Sequence, residues 1–149
     1  MKARFLIFTL LMCSCVHAQE NSWTSDVGQG IYESRLRNLD GYYFTIDCGA
    51  ELSPIGKNAS AFLEKNGVYY ESSKNSPLKI KINNSIYFIP FGKRSSGNDH
   101  IWRNILGGIA NTNAFSVYVG NKLIASFSYN KDSAKKNILS VENCLNREF

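Results

Sequence analysis

Two groups of residues in this 149-residue chain carry side-chain types suited to acid–base or binding chemistry. The first is Asp47 and Glu51, two carboxylates separated by Cys48, Gly49 and Ala50. Paired acids cleave glycosidic bonds when their surroundings split the two pKa values. At the end of a strand-like stretch, such a pair more often does no more than face water. The second group is GKRSSGNDHIWR, Gly92–Arg103, which gathers Lys93, Arg94, Asp99, His100 and Arg103 around Trp102 and two serines. An acid orienting His100 beside Ser95 or Ser96 would make a nucleophile–base arrangement. Asp99 and His100 are neighbours at a helix start, however, where adjacent side chains diverge. The plain reading is that Asp99 caps the helix, His100 is solvated and Trp102 enters the core. The active reading that suits the segment better than catalysis is a partner-binding loop through Lys93, Arg94, Asp99, His100 and Arg103, since Trp and Arg often anchor interfaces.

No other chemistry is signalled. The sequence holds no G-x-S-x-G, H-E-x-x-H, Walker loop or G-x-G-x-x-G. Gly28-Gln29-Gly30 reads as a flexible turn before a strand, with no helix after it to hold a phosphate. No catalytic residue, metal site or cofactor is expected.

The N-terminus sets the expected compartment. Met-Lys-Ala-Arg precedes the apolar run Phe5–Met12, and Val16-His17-Ala18 fits a small-x-small cleavage site. The expectation is a cleaved signal peptide over 1–18 and a single domain over 19–149, beginning at Gln19. The apolar run is shorter than the ~20 residues a spanning helix needs. Lipidation is the minority alternative: Cys15 follows Ser14 but has Met12 where a lipobox wants Leu, and Cys13 is preceded directly by Met12. Loss of Lys2 and Arg4 lowers the net charge from +5 to +3. The remaining basic residues are scattered, which argues against nucleic acid and allows only weak steering toward an acidic partner.

Cleavage would also leave two cysteines, Cys48 and Cys144. In an exported chain they form a disulfide by default, because no Cys-x-x-Cys or histidine cluster suggests redox or metal use. The bond closes a loop of roughly 100 residues, worth about 4–5 kcal/mol in the chain-entropy account.

The elements that must position these residues are mostly strands. Ile31–Leu36 and Tyr42–Cys48 flank the turn Asn38-Leu39-Asp40-Gly41 and read as a hairpin. Ala59–Lys65 reads as a short helix, and Asn66-Gly67 turns into a strand at Val68–Glu71. Leu78, Ile80 and Ile82 alternate with Lys79 and Lys81, giving one buried and one basic face. Asn83-Asn84 turns that strand into Ile86–Ile89. Phe115–Val119 and Leu123–Tyr129 form a further hairpin through Gly120-Asn121. A helix from Asp99 to about Ala110 carries Ile101, Trp102, Ile105 and Ile109 on one face, with Gly108 suited to close approach. A last helix begins near Asp132 or Ser133, striped by Ala134, Ile138, Val141 and Leu145. The fold class expected is α+β: an antiparallel sheet of about five to seven strands, two main helices on one face and one disulfide.

In build, not in residues, such a domain is similar to periplasmic inhibitor and immunity proteins and to minor components of envelope-spanning secretion machines. The expected function is therefore a non-catalytic protein-binding domain that neutralises or docks a protein in the envelope space, most simply a bacterial periplasm. The alternative is a structural or accessory subunit of an envelope machine, with homo-oligomers formed by strand addition. A hydrolase using His100 or Asp47 with Glu51 ranks third.

Overall fold

The computed structural model describes residues 21–49, 59–91 and 96–146, with side chains described throughout except at 96–97 and 139–146. Five strands form a meander in which each pairs with the next: β1 (Thr24–Gly28), β2 (Ile31–Arg37), β3 (Tyr43–Gly49), β4 (Ala59–Lys65) and β5 (Val68–Glu71). Four more form a second sheet in the order β7-β6-β8-β9, from β6 (Leu78–Ile82), β7 (Ser85–Phe88), β8 (Ala114–Val119) and β9 (Lys122–Ser128). Helix α1 (Ser96–Asn111) joins β7 to β8, and α2 (Lys131–Asn146) follows β9. Every pairing is antiparallel. The α+β class stands, but in place of one sheet of five to seven strands there are nine described strands in two sheets.

Two elements account for the difference. Ala59–Lys65, expected as a helix, is strand β4. Its Ala, Leu, Glu and Lys favour a helix, but Ala59, Ala61 and Leu63 are buried at period two while Ser60 is exposed. Pairing on both sides, with β3 and β5, overrides the local propensity. Asn66 and Gly67 both adopt positive φ, at 52° and 78°, as the tight hairpin turn between β4 and β5 requires. Strand β1 leaves no signal in the sequence pattern. All five of its residues are exposed, so no hydrophobic alternation announces it. Gln29 and Gly30, both at positive φ, make its turn into β2.

The inner faces of the two sheets meet at an aromatic cluster. Phe44 of β3 lies 5.0 Å from Phe115 of β8 and 6.0 Å from Phe127 of β9, ring centre to ring centre. Trp23 closes the cluster against Phe44, Phe115 and Tyr129. Leu36, Ile46 and Leu63 from the first sheet and Leu78, Ile80, Ile82 and Val117 from the second extend the same core. Asn38, 4% exposed, spans the joint as well. It donates to the Ser126 carbonyl at 2.9 Å and accepts from the Tyr42 amide at 2.9 Å, pinning the β2–β3 turn to β9.

The helices divide their allegiance: α2 touches β1, β2 and β3, α1 touches β6 and β7, and the two helices touch each other. They are not both laid on one face of a single sheet. The close approach expected of Gly108 is present. A Cβ there would come within 2.9 Å of Ile82 Cδ1. Helix α1 begins at Ser96, three residues before the expected start at Asp99. Helix α2 is capped by Asn130, whose Oδ1 accepts from the amides of Asp132 and Ser133. Asn137 then ties α2 to the first sheet by donating to the Trp23 carbonyl at 2.8 Å and accepting from the Ser25 hydroxyl.

Candidate functional site

Strand register turns the first group of acids into a row. Asp26 of β1 lies opposite Glu33 of β2, and Glu33 lies opposite Asp47 of β3. All three sit on the outer face of the first sheet, since Phe44, Ile46 and Cys48 occupy the inner one. The nearby acid that matters to Asp47 is therefore Glu33, fourteen positions upstream, which spacing along the sequence could not disclose. Glu51 lies outside the described residues. The Asp47 carboxyl is pushed up to about 6, first by burial and then by Glu33, while Arg35 pulls it down. Its Oδ1 is buried without a hydrogen-bond partner among the described residues. Such a carboxyl keeps its proton up to about pH 6, yet it does not line the adjoining 200 Å³ hollow of Asp26, Gly28, Ile31 and Glu33.

The rest of that face neutralises itself. Glu33 and Arg35 form an ion pair at 3.2 Å. Arg35 also donates to the Thr45 hydroxyl and, with Arg37, lies over the Tyr43 ring. Phe62 packs against Tyr69.

The second group is spread by helix geometry. Asp99 is half-buried in the first turn of α1, while His100 and Arg103 are exposed. Adjacent helical residues sit about 100° apart, so His100 has no orienting acid in Asp99. Trp102 is 1% exposed, a core residue. Lys93 and Arg94 lie outside the described residues. Cys48 is buried on β3. Cys144 is on α2, but its side chain, and with it the Cys48–Cys144 pairing, lies outside the described side chains.

A third region lies on the second sheet, around the lysines that alternation puts on a solvated face. Because Ile80 and Ile82 point inward, Lys79 and Lys81 point outward. The register sets Phe88 of β7 opposite Lys79 and Ile86 opposite Lys81, and on the other side Tyr118 and Ser116 of β8. Beyond them Leu123 of β9 lies opposite Tyr118, after a bulge at Val117/Tyr118. Ile86 is 57% exposed, Phe88 55% and Leu123 49%. Lys79 and Lys81 are the lysines on this face, Lys122 lying opposite inward Val119, and the four strands contain not one Asp or Glu. The Lys79 ammonium bonds Asn121 at 3.2 Å and sits 5.1 Å from the Phe88 ring centre. Two open hollows mark this face, one of 320 Å³ about Lys81, Ser116, Tyr118 and Ser126, and one of 180 Å³ about Lys79, Ile86 and Tyr118. The α1 surface is elsewhere, because α1 reaches β6 from the Ile82 side.

The family model for YfjT matches residues 21–138, a span reaching from β1 through the first half of α2. The chain belongs to the YfjT family. It is 25% identical to the YkfB protein of Escherichia coli strain K12 over 148 residues, covering 97% of this chain and 96% of that one. To the YfjT protein of the same strain it is 26% identical over the same shares. No solved structure matches the chain. The names of these family members state no activity, so membership carries the whole-length likeness and no substrate or partner. Among the described residues no helix is long and apolar enough to cross a membrane.

Proposed function

We propose that this member of the YfjT family is an exported, non-catalytic protein-binding domain that neutralises or docks a protein in the cell envelope. The observation that carries the reading is the gathering of Ile86, Phe88 and Leu123 on one sheet face, beside a core already filled by both sheets and both helices. Large apolar side chains scattered singly over a surface need no explanation, but several on one face, rimmed by polar residues, mark an interaction site. Export rests on the leader-like N-terminus and brings with it a mature chain starting at Gln19, without lipid, and a Cys48–Cys144 bond. The bond is supported by the burial of Cys48 on β3 and by the contact between α2, which carries Cys144, and β3. Lipid attachment at Cys15 is the alternative form. An immunity or inhibitor role suits a small stapled scaffold of this kind.

Intact mass of the protein from its native host tests the compartment. The expected mass is that of residues 19–149 less two hydrogens. An acylated chain beginning at Cys15, or two free thiols, would replace that part of the proposal. Affinity purification from envelope extract tests the binding role and should return one dominant protein in stoichiometric amount. Recovery of none, with the fold shown intact by circular dichroism, sinks it.

The second reading, a structural subunit assembling by strand addition, is favoured by a specific observation. β5 and β7 are sheet edges, and Val68, Tyr69, Ile86 and Phe88 on them are exposed. The aromatic stretch Tyr42–Ile46 offers no such edge, since it belongs largely to β3, which is paired on both sides. Light scattering separates the readings: concentration-dependent growth favours assembly, and a clean monomer favours the binding domain.

A further inference from the structure

We infer that the outer face of the β7-β6-β8-β9 sheet is the docking surface and that its occupant is an acidic, apolar-rich segment of a partner protein. The inference rests on the binding-domain reading and names the surface and the partner chemistry within it. Two observations choose the occupant. Lys79 and Lys81 stand on the outer face, and the four strands hold no acidic residue, so the face offers positive charge with no internal counter-ion from its own strands. Between and beside those lysines lie Ile86, Phe88 and Leu123, about half exposed, and the half-buried Tyr118. A ligand that satisfied only the charge would leave the apolar side chains wet. One that satisfied only the apolar side chains would bury ammonium groups unpaired, which is costly. A polypeptide alternating carboxylates with large apolar residues satisfies both, and in an extended conformation it matches the period of the strands beneath.

The first sheet supports the choice by contrast. Its outer face sets Asp26, Glu33 and Asp47 in one row and already pairs Glu33 with Arg35, so it offers the same ligand no comparable set of basic groups. Charge complementarity of this kind steers association and fixes orientation more than it adds raw affinity. Lys81 is exposed and Lys79 is half-buried. Lys79 is already positioned by Asn121 and Phe88, so part of the ordering cost on binding is met in the free protein.

Position-specific photo-cross-linking in the native host tests this on the full chain as the cell processes it. A photoreactive amino acid is placed in turn at Ile86, Leu123, His100 and Tyr69. Protein adducts are expected from Ile86 and Leu123, with the attached partner peptide rich in Asp or Glu and large apolar residues. Lys81→Glu should cut adduct yield at Leu123 at least fivefold, and Ile86→Thr should do the same without changing charge. Yield should also fall as salt is raised in envelope extract. Adducts from His100 or Tyr69 alone would overturn the inference while leaving the binding-domain reading intact. A basic or neutral partner peptide would overturn the chemistry assigned. Adducts to lipid, or to a second copy of this chain, would replace the partner by a membrane or by self-association. Absence of adducts at all four positions would overturn both the surface and the reading on which it rests.

Discussion

The outer faces of the two sheets solve the same problem in opposite ways. On the first sheet, Glu33 pairs with Arg35, Arg35 reaches Thr45, and both Arg35 and Arg37 lie over Tyr43. Thr45, at the centre of that face, is fully buried by these neighbours. The second sheet has lysines without acids on its strands and leaves Ile86 and Phe88 more than half exposed. Both sheets twist around one core and belong to one chain, so the contrast is not one of stability against instability. A face that satisfies its own charges has little left to offer a partner. A face with unmatched lysines and wet apolar side chains does, and local variation in surface chemistry is where function separates from fold.

The contrast predicts that the joint between the sheets, and not either outer face, holds most of the stability. Phe44→Ala should cost the most, about 3–5 kcal/mol, because it empties the centre of the ring cluster shared with Phe115, Phe127 and Trp23. That is a large share of the 5–15 kcal/mol typical of a domain, roughly stated. Asn38→Ala should follow at about 1–3 kcal/mol, since it strands the part-buried Ser126 carbonyl and Tyr42 amide. Urea denaturation reads both. A Phe44→Ala loss below that of Asn38→Ala would mean the sheets are held by polar bridges and not by the aromatic cluster.

How much of this was legible in the sequence differs between the two sheets for a physical reason. The second sheet is written in alternating Leu, Ile and Lys and in Phe-Ser-Val-Tyr-Val, so its strands and turns are readable from period two alone. The first sheet hides two of its five strands. β1 buries nothing, and β4 is spelled in helix-forming residues whose small Ala side chains give a weak alternation signal. The helices were legible from their stripes, although α1 starts earlier than its polar residues suggested. The surfaces were the least readable. Register decides which residues share a face, and nothing in Ser85–Phe88 says that Ile86 and Phe88, and not Tyr87, turn outward. The same holds for Asp47 and Glu33, which meet only through the pairing of β2 with β3.

One place on the first sheet's outer face is not fully settled, and titration should find it. Asp47 ionises at about 6 in the folded chain against an ordinary 3.8, with burial the larger cause and Glu33 the next. Between those values the folded state keeps the proton and the unfolded state releases it. Stability should therefore fall as pH rises from about 4 to about 6 and stay lower above that window. Asp47→Asn should remove this fall. It should stabilise the chain at pH 7 by about 1 kcal/mol, a figure discounted for partial solvent screening, and change nothing below about pH 4. Glu33→Gln should move the Asp47 titration downward, as read by carboxyl NMR. An Asp47 that titrates near its ordinary value would show that the row is as well neutralised as the rest of its face.

The smallest expected effect is the most informative about the second sheet. Ile86→Thr and Phe88→Thr keep β-favouring residues on an edge strand while removing apolar surface that is already more than half in water. Each should change stability by no more than about 0.5 kcal/mol, the range of ordinary surface substitutions. Phe88 does touch Lys79 through its ring, but an exposed contact of that kind contributes only about 0.5–1 kcal/mol and is replaced in part by water. The pairing of β7 with β6 runs through the backbone and survives both changes. A face under no structural demand that still carries isoleucine and phenylalanine is what the proposed docking role expects. The measurement is a pair of urea midpoints beside that of the unaltered chain. Losses above about 2 kcal/mol, the scale of buried side chains, would mean that this face is covered within the folded protein, and the asymmetry between the two sheets would then be one of packing and not of docking.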